Sequence, residues 1–215
     1  MGRTSLASRR LAGRLRTLEI VGLVLGLAAL GWLISARVAA GRDQRNWARD
    51  FEARLAVRQT VTAAAPAEAT GSPRAVGTAG TTSGIIGRLE APRLGISVIT
   101  REGTDASTLE RAVGHIANTA LPGEAGNTAF AGHRDTFFRR LRYARAGDRI
   151  VVTSLSGRHE YVVRDTRVIS PKDVSVLDPT PEPTLTLVTC YPFRYVGPAP
   201  ERFIVRADLL ANPAR

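Results

Sequence analysis

The most prominent feature of the hydrophobic pattern is an uncharged apolar run near the start of the chain. Residues 20–36 read IVGLVLGLAALGWLISA, which corresponds to about 25 Å of helix at 1.5 Å per residue. That length is at the short end for a membrane span, and residues 20–38 are long enough if Glu19 and Arg37 extend toward the headgroups. We therefore predict a transmembrane helix over residues 20–38. The alternative is a signal peptide cleaved near Gly41, but the run is longer than a usual signal core.

Two further patterns follow the apolar run, in residues 39–83. In residues 42–60 apolar side chains recur every four positions, which predicts an amphipathic helix that either lies on a membrane surface or forms a stalk. These side chains are Trp47, Phe51 and Leu55. Residues 61–83 consist mostly of Ala, Thr, Gly, Ser and Pro. Because they hold almost no large apolar side chain, they cannot bury a core and are predicted to form a linker.

The remaining residues, 84–215, show the pattern of a β domain. Short runs rich in Val, Ile, Thr and Leu alternate with Gly, Pro or Asp. The predicted strands are residues 85–90, 95–100, 127–132, 149–155, 159–169, 184–190 and 202–209. Residues 105–112, with Thr104 or Asp105 as the N-cap, predict a short helix, and residues 137–143 predict a helical turn. Seven or eight strands with short helices indicate a mainly β domain, either a closed barrel or a sandwich.

The charge distribution bears on the orientation of the chain. The 215 residues carry a net charge of +11, which is a level also found in nucleic-acid-binding proteins. Residues 1–41 hold +5 of it, with five arginines before the apolar run, and residues 84–215 hold only +4. Since the excess lies beside the apolar run rather than on one folded face, we predict no nucleic-acid partner. The positive-inside rule places residues 1–19 in the cytoplasm and the β domain outside the membrane.

Cys190 is the single cysteine of the chain, so no intrachain disulfide can form. It ends the predicted strand 184–190, just before Tyr191 and Pro192, and such a strand end brings its last side chain to the rim of a barrel. A buried Cys is often only a small hydrophobe. A free thiol outside the membrane is open to oxidation, however, so its presence there needs a reason. A nucleophilic thiolate needs a partner for its proton, most often His.

Three histidines are candidates for that partner. His133 follows the predicted strand 127–132, at the same kind of rim position as Cys190. His159 lies in the middle of a strand between charged residues, which predicts a solvated surface position. His115 follows the short helix and is either structural or at the border of the site. The position at the strand end therefore favours His133.

Arg202 is the candidate cation of the site. It opens the last predicted strand, and eleven residues rich in Gly and Pro separate it from Cys190. That length suits a connection between two neighbouring strands, which would return Arg202 beside the thiol. A guanidinium there could donate hydrogen bonds to the oxyanion that forms when a carbonyl is attacked. The alternative is a salt bridge at the rim with Glu201. Arg206 lies farther from the end of the connection.

These residues resemble the motifs of a known family. TLVTC at residues 186–190 is similar to the TLxTC signature of sortases, and AGHRD at 131–135 is similar to the segment that holds their catalytic histidine. RFIVR at 202–206 resembles the strand that supplies their catalytic arginine. The order and spacing of the three motifs agree over roughly residues 84–210. The segments around His133 and Cys190 are most similar to class D sortases.

The resemblance implies a closed eight-stranded sortase-type β-barrel with the activity of a cysteine transpeptidase, a kind of cysteine-type peptidase. Cys190 would form an acyl-thioester with the Thr of an LPxT(A/G)-like sorting signal, His133 would act as general acid and then base, and Arg202 would stabilise the oxyanion. Thr189 would assist. The implied partners are proteins with a C-terminal sorting signal and an amine acceptor of peptidoglycan or its precursor. No cofactor or metal is implied, and the sequence holds no carboxylate cluster that indicates a calcium site.

Two alternatives stay open at this stage. One is a sortase-fold protease that mainly hydrolyses its substrate, and the other is a non-catalytic β domain anchored to the membrane. Joining rather than cutting requires walls that keep water from the thioester. The aromatic residues between Cys190 and Arg202 are candidates for such walls, and they are Tyr191, Phe193 and Tyr195.

Overall fold

The computed structural model describes residues 4–64 and 84–210. Helix α1 spans Thr4–Ala64, and the linker predicted at residues 61–83 lies outside the described residues from residue 65 onward. The chain divides into two compact units, Met1–Arg42 and Asp43–Arg215.

The first unit consists of the N-terminal part of α1. Within Glu19–Thr60 the helix is long and apolar enough to cross a membrane, with a mean hydropathy of 2.0. The large apolar side chains between Ile20 and Val38 are exposed, and Trp32 is the most exposed of them at 73%. A helix that is apolar on all sides is typical of a membrane span rather than of a helix in water. The apolar helix predicted at residues 20–38 is thus present as a candidate span.

The second unit contains a closed β-barrel, with eight strands in the described part of the chain. In chain order they are β1 (Ile85–Ala91), β2 (Ile96–Glu102), β3 (Val113–His115), β4 (Asn127–Ala131), β5 (Arg149–Ser154), β6 (Gly157–Ile169), β7 (Thr184–Tyr191) and β8 (Glu201–Leu209). Around the barrel the order is β1-β2-β3-β4-β7-β8-β6-β5, and β5 pairs with β1 to close it. Closure pairs the strands that would otherwise be the edges of a sheet. The predicted closed barrel is confirmed.

The predicted strands agree with the observed ones to within two residues at each end. The predicted short helix is α2 (Ala106–Arg111), and Asp105 is its N-cap because its carboxylate accepts the N–H of Thr108. Single helical turns lie in three connections between strands, at Pro92–Leu94, Arg139–Tyr143 and Ser175–Leu177. The strand β3 was missed because it is only three residues long and has a glycine in its middle, too short a run for an alternating pattern.

The hydrophobic core fills the interior of the barrel. Six large side chains from different strands have no accessible surface: Leu89, Phe130, Ile150, Tyr161, Leu187 and Val205. Burying each such side chain stabilises the fold by about 1.5–3 kcal/mol. Successive side chains on a strand point to opposite faces, so the residues between these core positions point to the outer surface of the barrel.

The second part of α1 packs on the outside of the barrel. Phe51 is only 2% exposed and lies against Ile85 of β1 and Ile99 of β2. The Gln44 side chain accepts the N–H of Ile99 (2.7 Å) and donates to the carbonyl of Arg111 (2.8 Å). The predicted amphipathic helix therefore exists, but its apolar face contacts the barrel rather than a membrane surface. The apolar patch that receives it is formed by two strands, which the helix sequence does not reveal.

Candidate active site

Cys190 and Arg202 lie directly opposite each other on two neighbouring strands. The strands β7 and β8 are antiparallel, and their register pairs Cys190 with Arg202. On β7 the core residues Leu185 and Leu187 point inward, so by alternation Cys190 points outward. Paired residues of two strands share a face, which puts the Arg202 side chain on the same outer surface. Cys190 is half-buried, and its thiol is thus at the surface end of a rigid strand.

His133 approaches the same place from the other side of β7. The strands β4 and β7 run parallel, and their pairing ends with Ala131 beside Val188. The register continues past the end of β4, because the N–H of Gly132 donates to the carbonyl of Val188 (3.1 Å). One more residue along both strands brings His133 beside Cys190. His133 is exposed.

The backbone before His133 is tied to β7 by a side chain. The hydroxyl of Thr189, which is 2% exposed, donates a 2.7 Å hydrogen bond to the carbonyl of Gly132. Gly132 is buried, and a Cβ there would lie 2.8 Å from the ring of Phe138. Gly132 therefore faces the barrel interior. His133 is the next residue, so it points outward, as Cys190 does. Thr189 thus holds the position of the histidine segment.

The Arg202 guanidinium contacts the chain that leads into β8. Its Nη1 donates to the carbonyls of Ala199 (3.3 Å) and Glu201 (2.9 Å). The contact with Glu201 is with the main chain, and the ion pairs found among the described residues do not include one between the two side chains. A guanidinium has five N–H groups. Donors therefore remain for a substrate oxygen.

Residues 192–200, here called the β7–β8 loop, connect the strands of Cys190 and Arg202. Phe193 packs edge-to-face on Phe203, with ring centroids 5.2 Å apart, and Tyr191 stacks on Phe203 at 6.3 Å. On its other side the loop is bound by Arg134, whose guanidinium contacts three carbonyls of the loop and the ring of Tyr195. The sequence analysis missed Arg134. Its position next to His133 was the available signal.

A second loop, residues 170–183, here called the β6–β7 loop, is held by Asn127. This residue is 2% exposed, and its Nδ2 donates to the carbonyls of Val176 (2.8 Å) and Asp178 (3.2 Å). Its Oδ1 accepts the hydroxyl of Thr186 (2.7 Å). One buried amide thus connects β4, β7 and this loop, and the sequence analysis missed this role as well.

The other two histidines are not part of this arrangement. His115 is 3% exposed, with Nδ1 2.8 Å from a carboxylate oxygen of Glu102 and Nε2 3.1 Å from the carbonyl of Ala120. It is structural, one of the two roles considered. His159 was expected to be solvated, but it is half-buried and burial lowers its pKa. Its ring lies against Gly123, a contact between distant segments.

Register thus places Cys190 and Arg202 side by side on the outer face of β7 and β8, and His133 follows the end of the adjacent strand β4 on the same face. The set comprises a thiol, an imidazole and a guanidinium: a nucleophile, an acid–base group and a donor for a developing negative charge. Within residues 4–64 and 84–210, no group of three or more His, Cys, Asp or Glu side chains is placed to hold a metal ion. The arrangement is suited to acyl transfer through a thioester.

A comparison with protein families agrees with this geometry. The model of the sortase domain family matches residues 89–210. Sortase D of Bacillus subtilis is 39% identical over 120 residues, which are 55% of this chain and 61% of the relative. Sortase A of Listeria monocytogenes is 30% identical over 110 residues, which are 49% of each chain. The chain thus spans about half of the length of these curated relatives.

Solved structures show the same fold. A sortase D5 transpeptidase of Clostridium perfringens is similar with a TM-score of 0.54 and 34% identity, over 59% of this chain and 79% of that one. Sortase A of Corynebacterium diphtheriae is similar with a TM-score of 0.56 and 29% identity, over 61% of this chain and 63% of that one. The range matched by the family model, residues 89–210, includes Cys190, His133 and Arg202.

Proposed function

The chain belongs to the sortase family of cysteine transpeptidases, and we propose that Cys190, His133 and Arg202 are its catalytic residues. One observation carries the assignment: Cys190 pairs with Arg202 across β7 and β8, while the segment of His133 is hydrogen-bonded to the other side of β7. The substrate we propose is a protein with an LPxT(A/G)-like sorting signal near its C-terminus. The similarity to class D sortases supports this class of substrate.

In the first step the Cys190 thiolate attacks the carbonyl carbon of the substrate Thr. The oxyanion that forms accepts hydrogen bonds from the Arg202 guanidinium. When it collapses, the bond between the carbonyl carbon and the next residue's nitrogen breaks, and His133 gives its proton to the leaving amine. The product is a thioester between the Thr carbonyl and the sulfur of Cys190, plus a free C-terminal peptide.

In the second step an acceptor amine attacks the thioester. The neutral His133 takes a proton from the amine, Arg202 again stabilises the oxyanion, and the sulfur of Cys190 leaves as thiolate. We propose an amine of peptidoglycan or its precursor as the acceptor, with anchoring of proteins to the cell wall as the result. Water is the competing nucleophile, and it would release an acid instead of an amide. By alternation Tyr191 and Phe203 point away from Cys190, so their cluster with Phe193 anchors the β7–β8 loop to the barrel interior. We propose that the loop itself, with Tyr195, limits the access of water.

We further propose how the chain is arranged at the membrane. Residues 1–19 are cytoplasmic, residues 20–38 span the plasma membrane, and residues 84–215 form the catalytic domain on the outer side. The arginines before the apolar run support this orientation. Residues 39–83 connect the span to the domain, and the packing of Phe51 on β1 and β2 adds part of this connection to the folded unit.

Mass spectrometry of the protein incubated with LPxT-type peptides tests the proposal. We expect an acyl adduct on Cys190 in the wild type and none in Cys190→Ala, since the chain has no other cysteine. Adding a glycine oligomer or a diamino-acid peptide should convert the product from acid to amide.

Each alternative predicts a different result in the same assay. A non-catalytic β domain forms no adduct with any peptide of the library. A sortase-fold protease forms the adduct, but its product remains an acid with every amine tried. Turnover that persists in Cys190→Ala would remove the proposed nucleophile.

A further inference from the structure

The proposed site is assembled from two segments that are distant in the sequence. One is the turn that carries His133, and the other is the β7–β8 loop that connects Cys190 to Arg202. Strand pairing fixes Cys190 and Arg202 to each other. His133 lies beyond the last paired residue of β4, and its backbone is held by the hydrogen bond of Thr189 to Gly132 and by the N–H of Phe138, which donates to the His133 carbonyl (3.1 Å). Neither bond reaches the β7–β8 loop, so a contact that joins the two segments adds to the placement of the imidazole.

Arg134 makes this contact with one guanidinium. Its Nη1 donates to the carbonyl of Pro192 (3.0 Å), and its Nη2 donates to the carbonyls of Tyr195 (3.0 Å) and Gly197 (3.3 Å). The guanidinium carbon also lies 5.8 Å from the centroid of the Tyr195 ring, within the range of a cation–π contact. Three carbonyls of a nine-residue loop are thus held by the residue next to His133.

The two sides of the β7–β8 loop are bound differently. On the β8 side Phe193 packs on Phe203 through apolar contacts. On the β4 side the loop carbonyls accept hydrogen bonds from the Arg134 guanidinium. This donor is charged, and its planar geometry fixes the directions of the hydrogen bonds. Arg202 also binds the carbonyl of Ala199 near the start of β8 (3.3 Å), whereas in the middle of the loop Val196 is 99% exposed and Tyr195 is 48% exposed. The position of the middle of the loop therefore depends on Arg134.

We propose that Arg134 is a positioning residue, which holds the turn of His133 and the β7–β8 loop together as one unit. This inference rests on the proposed function, because Arg134 acts through His133 and through the loop and does not touch the reacting atoms. When the guanidinium is removed, the imidazole is no longer kept at hydrogen-bonding distance from the amine. A displacement of about 1 Å at a reacting group can lower a rate by about 100-fold.

The contacts require the planar fork of arginine. Two different nitrogens bind carbonyls at three positions of the loop, whereas the single ammonium of lysine is a compact charge that cannot span them. We therefore expect Arg134→Lys to behave more like Arg134→Ala than like the wild type. Arg139→Ala is the matched control, since it removes an exposed arginine of the same segment.

The test uses the full chain in detergent micelles, an LPxT-type peptide and a glycine oligomer as the amine. For Arg134→Ala we expect kcat to fall by about 10–100-fold while KM changes by less than about threefold. Alkylation of Cys190 by iodoacetamide near pH 10, where a thiol ionises without a base, should stay at the wild-type rate. Arg139→Ala should match the wild type in all three measurements. A kcat of Arg134→Ala within twofold of the wild type overturns the proposal.

Two further measurements keep the inference testable. Hydrogen–deuterium exchange should be faster in Arg134→Ala at residues 133–138 and 192–200 and unchanged in Arg139→Ala, and unchanged exchange in both segments overturns the proposal even if no substrate has been found. If Arg134→Ala melts at a lower temperature, added methylguanidinium should restore kcat, and no recovery counts against the proposal. Failure of the proposed function has a different signature, which is turnover in Cys190→Ala.

Discussion

Arg202 and Arg206 lie four residues apart on β8 and point to the same outer face, but their surroundings differ. Arg202 pairs with Cys190, and its guanidinium is held by two loop carbonyls. Arg206 pairs with Thr186, and burial, together with the charges of Arg167 and Arg164, lowers its pKa. Arg202 is thus next to the proposed nucleophile, while Arg206 is farther along the strand.

This difference predicts the effects of two equal substitutions. Arg202→Lys keeps the charge but loses the fork, so we expect kcat to fall by about 100–1,000-fold, as for the loss of an oxyanion donor. Arg206→Lys should change kcat by less than about threefold in the same peptide assay. Near-normal turnover of Arg202→Lys would mean that only its charge matters, and the oxyanion role would have to be abandoned.

The histidines predict a separation between activity and stability. His133→Ala should lower kcat by about 100–10,000-fold, the usual effect of losing a general acid–base, with no change in melting temperature because the side chain is exposed. His115→Ala should destabilise the fold by about 1–3 kcal/mol, since it leaves the partners of a buried side chain unsatisfied. Peptide turnover and thermal unfolding are measured on both variants. A catalytic loss in His115→Ala as large as in His133→Ala would contradict the assignment.

Asp148 predicts how stability depends on pH. Its side chain is 4% exposed, and hydrogen bonds from Arg93 hold the pKa of the carboxyl below its ordinary value, against the effect of burial. A lowered pKa stabilises the folded state above the ordinary value of about 3.9 and loses this contribution as the pH falls below it. Arg93 is 38% exposed, so we expect a smaller contribution than that of a fully buried pair.

The measurement compares the unfolding free energy of the wild type and Asp148→Asn between about pH 7 and pH 2. The wild type should be more stable at neutral pH, and the difference should shrink as the pH falls through about 4 toward the lowered pKa. A difference that is independent of pH would show that the carboxylate charge contributes nothing.

At the scale of elements, α1 contributes to the fold beyond its apolar run. The Gln44 side chain accepts a hydrogen bond from the N–H of Ile99. Ile99 comes directly before Thr100, the first residue of β2 that pairs with β3. Trp47 receives the guanidinium of Arg101 at 4.6 Å from its ring centroid, and Glu52 forms an ion pair with Arg88 (2.8 Å). Polar contacts thus surround the buried Phe51 and fix how the helix meets β1 and β2.

This packing predicts that Phe51→Ala destabilises the barrel unit by about 3 kcal/mol, because it removes a buried aromatic side chain. Val57→Ala is the control on the same helix, since Val57 is 65% exposed, and it should change stability by less than about 0.5 kcal/mol. Thermal unfolding of the full chain in detergent measures both. Equal melting temperatures for the two variants would mean that the helix adds no stability to the barrel.

At the scale of the whole molecule, the single thiol reports the orientation of the chain. If residues 84–215 lie outside the membrane, a membrane-impermeant maleimide should label Cys190 in intact cells as fully as a permeant one. Cys190→Ala is the control and should not be labelled. Labelling that requires lysis of the cells would reverse the proposed orientation. The mass of the labelled chain also tests cleavage, because a chain that begins near Gly41 would identify residues 1–40 as a signal peptide.

The sequence by itself determined most of the elements and the positions of the proposed catalytic residues on them. Alternation and β-branched residues indicated seven strands, and Asp105 indicated the start of α2. The ends of two strands located Cys190 and His133. These features are local, since the direction of a side chain and the capping of a helix depend on residues only a few positions away.

Only the tertiary structure decided which segments meet. It selected the parallel pairing of β4 with β7, which brings the segment of His133 to Cys190. It placed Phe51 on β1 and β2, and it gave Arg134 three carbonyls that lie about 60 residues farther along the chain. Such contacts depend on how the barrel closes and on the shape of surfaces built from several strands. One segment's pattern shows that it has an apolar face or a free donor, but its partner is known only when the chain has folded.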